Sequence, residues 1–125
     1  MFRVPVLPLA LLCVLMTAAG QLVLKRAVSV PELTQLLHAG EGAAFLGRAL
    51  ASPAVLVGLG LYAVATLGWL IVLGRADVSY AFPLVSIGFV VTALFASIWL
   101  GESISAARAT GIALIAVGVV LVART

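Results

Sequence analysis

The chain has 125 residues, of which 65% are hydrophobic and 9% charged, with a mean hydropathy of +1.34. A soluble domain is nearer half apolar and a quarter charged, so this composition needs lipid as its solvent and excludes an ordinary water-soluble fold. The net charge of +3 comes from seven cations scattered along the sequence against four acids, which excludes a basic face for nucleic acid.

Four apolar runs predict an all-α integral membrane protein, a single domain over 1–125, with spans near 4–24, 55–73, 79–100 and 106–123. Each is about 18–22 residues, enough to cross a hydrocarbon core of roughly 30 Å. In the first run Pro5 and Pro8 fall in or before the opening turn, where a missing N–H is tolerated. Arg3 followed by apolar residues and "TAAG" has the order of a signal peptide. Apolar character continues to Leu24, however, which suits a span better than a short cleaved segment. "LALLC" brushes against a lipoprotein pattern, but Leu12 is bulky where a small residue is expected. Cys13 is the one cysteine and reads as a small apolar core residue. Thr17, Gln21 and Lys25 are spaced by four, so they form one polar stripe on one helix face, ending in a cation.

The link 25–52 repeats apolar residues at near-helical spacing (Leu33, Leu36, Leu37, then Ala44, Phe45, Leu50), interrupted by "HAGEG". It reads as one or two short amphipathic helices at the membrane interface, with His38 as a solvated surface histidine. Span two opens at Ser52–Pro53, a cap followed by a first-turn proline. Within it Tyr62, Thr66 and Trp69 share a face. The tight "GRAD" turn, which includes Arg75, makes spans two and three antiparallel neighbours. Span three begins "SYAFPLVS": Ser79, Phe82 and Ser86 share a face, and Pro83 frees the carbonyl of Ser79. After it comes a tight "GES" turn. Its Glu102 is placed to pair with Arg108 or Lys25, or to meet a substrate. In span four Gly111 and Gly118 are seven apart on one stripe, which marks an assembly helix.

Loop charge does not decide orientation. Arg3, Arg75 and Arg124 fall on one side, and Lys25, Arg26, Arg48 and Arg108 on the other. So even a balance is what an antiparallel homodimer needs, and equally what a protein oriented by a similar partner subunit shows.

Nothing in the sequence has the pattern of a catalytic set, a metal-ligand cluster or a cofactor-binding loop. The carboxylates Glu32, Glu41, Asp77 and Glu102 all fall in links or at span ends. A proton-driven antiporter normally needs an ionisable group inside the membrane. The polar and aromatic residues of the spans instead describe an amphipathic pocket with aromatic walls. Four short spans enclose little volume, so a transport path through them calls for a dimer, homomeric or with a similar subunit.

"AAGQLVLK" in span one, "DVSYAFPLVSIGF" opening span three, "LGE" at its end and "GIALIAVGV" in span four occur in an order that resembles small four-helix members of the drug/metabolite transporter superfamily. Two branches compare differently. In the small multidrug resistance branch span one carries a membrane-embedded glutamate ahead of a lysine. Aligning on Lys25 puts Thr17 there, and Pro83 replaces an aromatic. The chain is more similar to the paired flippase subunits for undecaprenyl-phosphate-linked aminoarabinose, through Ala19–Gly20–Gln21, Trp69, Val72–Leu73 and Ala81–Phe82–Pro83.

That resemblance implies a multi-pass bacterial inner-membrane flippase subunit, not an enzyme, whose substrate is a lipid-linked sugar phosphate surrounded by membrane lipid. The headgroup would be held by Thr17, Gln21, Tyr62, Trp69 and Ser86, with Ser79, Pro83 and Glu102 nearby. Its phosphate would be met by Lys25 with Arg26 or Arg75. The alternatives are a small multidrug resistance-type exporter of a small cation or metabolite, and a non-transporting membrane assembly subunit.

Overall fold

A computed structural model describes residues 5–125; Arg3 and Val4, used above for orientation and for the start of span one, lie outside the described residues. The helices are α1 (Val6–Val28), α2 (Pro31–His38), α3 (Gly42–Ala51), α4 (Pro53–Leu73), α5 (Val78–Trp99) and α6 (Ala106–Ala123). α1, α4, α5 and α6 are long and apolar enough to span a bilayer, with 23, 21, 22 and 18 residues. The expected spans and these helices agree to within two residues at most ends. The exception is the end of α1, which continues to Val28 and carries Lys25 and Arg26 in its last turn. Cations there offset the partial negative charge of the helix C-terminus.

The 25–52 link is two short helices. Pro31 occupies the first turn of α2, where its missing N–H leaves no intrahelical bond unmade. Gly40, at φ 76°, ends that helix in the left-handed conformation that glycine adopts without a Cβ penalty. The Glu41 N–H then bonds the Leu36 carbonyl at 2.9 Å and the Gly40 N–H that of Leu37 at 3.1 Å, a Schellman cap. α3 runs into α4 at Ser52, where Pro53 starts the second span; the Ser52 side chain makes no capping bond. The capping hydroxyl found is that of Ser105, which accepts from the Arg108 N–H at 3.2 Å and starts α6.

α1 is the central helix. It packs against α4 on one flank and α5 on the other, while α6 packs against α5. In the α1–α4 crossing the two backbones meet at Gly20 and Gly58. A Cβ on Gly58 would lie 2.7 Å from Leu24 Cγ and 3.3 Å from the Gly20 carbonyl oxygen. On the other flank a Cβ on Gly88 would lie 2.9 Å from Val14 Cγ1. Small residues thus set how near the spans come, as dispersion-driven packing in lipid favours. α4 and α5 scarcely meet each other. They therefore flank α1 and leave a cleft above it.

Two apolar clusters close the ends. Ala10, Val72, Ala81, Leu84 and Val119 form one near the 74–77 turn, with Val72 and Leu84 fully buried. Ala27, Ala49 and Val55 form the other, where α1 meets the start of α4. The outer face of α6 is apolar and open, with Leu114 68% and Leu121 62% exposed. Among the described residues, nothing lies within 4 Å of a Cβ built on Gly111 or Gly118.

Candidate functional site

The cleft between α4 and α5 is a groove of about 500 Å³ with α1 as its floor. Thr17 and Gln21 line it from α1, Tyr62, Thr66 and Trp69 from α4, and Phe89 and Thr92 from α5. The spacing on each helix follows the helix period. The four-residue steps of Thr17–Gln21 and of Tyr62–Thr66 put each pair on one face, and the glycine crossing turns those two faces toward one another.

Local bonding distinguishes the polar groups. The Thr17 hydroxyl donates to the Cys13 carbonyl at 2.9 Å, and that of Thr66 to the Tyr62 carbonyl at 2.8 Å. Both satisfy themselves on their own helix, as threonines in membrane helices commonly do. Gln21 behaves differently: its side-chain amide donates to the Tyr62 hydroxyl, tying α1 to α4 at the floor of the groove. An amide has four hydrogen-bonding sites, so this bond leaves capacity facing the cavity. Cys13 is a buried free thiol in the groove floor, consistent with its apolar reading.

Glu102 also lines the groove. Its position comes from the turn after α5. Gly101, at φ 68°, reverses the chain, and the Glu102 N–H returns to the Ala96 carbonyl at 3.2 Å. Ala96 is itself in the groove wall. A carboxylate from outside the span is thereby carried to the end of the cavity nearest the α2–α3 link. Arg108 donates to the Ser103 carbonyl at 3.4 Å and not to Glu102.

The sequence-derived candidates therefore fall in different places. Thr17, Gln21, Tyr62, Trp69 and Glu102 share the groove. Lys25 is exposed, one turn beyond Gln21 along α1. Arg26 lies in a second hollow, its guanidinium carbon 5.0 Å from the centroid of the Trp99 ring. Arg75 and Ser79 line a third, small hollow at the opposite end of the bundle, with Asp77 and Tyr80. Pro83 and Ser86 line none of these three. Phe89 and Thr92 are groove residues that the sequence reading did not single out. A signal for Thr92 exists in the four-residue steps Gly88, Thr92, Ala96, a stripe of small and polar residues on one face of α5.

Compared with curated proteins, the chain is 34% identical over 123 residues to the "Probable 4-amino-4-deoxy-L-arabinose-phosphoundecaprenol flippase subunit ArnF" of Shewanella sediminis, covering 91% of this chain and 84% of that protein. It is 36% identical over 112 residues to the subunit ArnE of the same description from Pectobacterium atrosepticum, covering 90% and 91%. The ArnF of Enterobacter sp. is 33% identical over 116 residues, covering 90% of each. No family model matches the chain, and no solved structure matches it.

Proposed function

The chain belongs to the family of 4-amino-4-deoxy-L-arabinose-phosphoundecaprenol flippase subunits, and on that footing we propose that it moves a polyprenyl-phosphate-linked amino sugar across the bilayer as one subunit of a dimer. It is a multi-pass protein of the bacterial inner membrane. The observation that carries the reading is the single groove in which Thr17, Gln21, Tyr62, Trp69 and Glu102 meet. Its aromatic walls suit a sugar face, and its few hydrogen-bonding groups suit hydroxyls. Glu102 supplies an acid for the sugar's ammonium group. Lys25, one turn beyond Gln21, supplies a cation for the phosphate at the level of the lipid headgroups. α4 and α5 scarcely meet beside the groove, so the prenyl tail stays in lipid while the headgroup travels. A second chain, alike or similar, covers the open side.

The test is translocation of the lipid-linked amino sugar in proteoliposomes, read by a membrane-impermeant amine reagent. Gln21→Ala and Lys25→Ala are each expected to slow it about tenfold, the equivalent of roughly 1.4 kcal/mol. Unchanged rates in both variants would remove the site assignment. Glu102→Gln is expected to slow the amino sugar while sparing a lipid carrying a neutral sugar, the latter read by a membrane-impermeant lectin.

A further inference from the structure

The second hollow, about 610 Å³, lies outside the central groove, where the end of α1 meets the α2–α3 link and the end of α5. Three charged side chains line it: Arg26, Arg48 and Glu32. Arg26 is exposed and its guanidinium lies over the Trp99 ring, a cation–π contact that favours this placement at the hollow. Arg26 ends one span and Trp99 ends another, so the hollow sits at headgroup depth.

Two guanidinium groups in one hollow form a donor set suited to a phosphodiester. The carboxylate beside them counts against a plain anion, because it would repel one. It becomes favourable when the ligand carries an ammonium group a few bonds from its phosphate. The remaining walls include Val23, Ala27 and Leu33, apolar surface that suits a hydrocarbon tail and not a soluble metabolite. We propose that this hollow is a second lipid site. It takes a diacyl glycerophospholipid whose phosphodiester headgroup bears an ammonium group, with the phosphate on Arg26 and Arg48 and the amine on Glu32. The site stands independently of what the central groove carries.

The experiment is native mass spectrometry of the full-length protein in detergent, titrated with phosphatidylethanolamine or with phosphatidylglycerol of the same acyl chains. The wild type is expected to retain phosphatidylethanolamine over phosphatidylglycerol. Arg48→Gln is expected to lower phosphatidylethanolamine retention about tenfold, and Arg48→Lys by less, since the ammonium keeps the charge and loses the fork. Glu32→Gln is expected to abolish the preference without lowering phosphatidylglycerol retention. Equal retention of the two lipids by the wild type, or wild-type retention of phosphatidylethanolamine by Arg48→Gln, overturns the proposal. Arg48 is exposed on α3, so its replacement leaves the bundle intact. An unchanged melting temperature checks that, and groove-dependent translocation is read separately.

Discussion

Gln21 and Tyr62 are 41 positions apart, yet one hydrogen bond joins them at the floor of the groove. Such bonds between membrane helices are worth about 0.6 kcal/mol on average, because the separated groups find other partners. A double-mutant cycle of Gln21→Ala and Tyr62→Phe, read by unfolding in detergent, should therefore give a coupling of roughly 0.5–1.5 kcal/mol. A coupling near zero would mean that the amide serves the cavity alone. At this scale sequence periodicity carries far on α1 and α4. The four-residue steps through Thr17, Gln21, Tyr62 and Thr66 identify faces that do line the groove. It carries less far on α5. Period assigns Ser79, Phe82 and Ser86 to one face, but it cannot say which way that face turns. The turn is set by packing: Ala81, Leu84, Gly88 and Ala96 are the buried positions of α5. That rotation brings Phe89 and Thr92 to the cavity and leaves Ser86 outside it.

Elements were legible from hydropathy because lipid asks for uninterrupted apolar runs, and the four spans follow them closely. The end of α1 was not, since Lys25 and Arg26 read as a boundary while the backbone continues through them as a charged last turn. Nor could hydropathy reveal that α1 is the middle helix. That depends on where glycines let backbones touch, and twelve glycines offer many choices. The decisive pair is testable. Gly58→Leu places branched carbon where Leu24 and the Gly20 carbonyl already are, and overpacking of that kind costs about 1–3 kcal/mol. Gly60→Leu, two residues along the same helix, meets nothing within 4 Å among the described residues and should leave the midpoint of detergent unfolding nearly unchanged. Equal losses in both variants would mean that glycine itself, and not the crossing, is what α4 needs.

For the whole molecule, α6 stands apart: it packs on α5 and turns its glycine stripe outward. Gly118→Ile should therefore leave the unfolding midpoint of the single chain in place while reducing self- or partner association, measured by energy transfer between labelled chains in vesicles. Undiminished association would move the assembly face elsewhere. The groove and the plug beside it have a consequence for the cell's energetics. Trp69 touches both the cavity and the cluster of Ala10, Val72, Ala81 and Leu84. Those four residues are apolar and almost without solvent exposure. A wet cavity under a membrane voltage is half of a proton wire. The other half needs polar groups to hold a file of water, and among the described residues the buried side chains of this cluster have none to offer. Many copies of the chain can then sit in an energised membrane without draining its proton gradient.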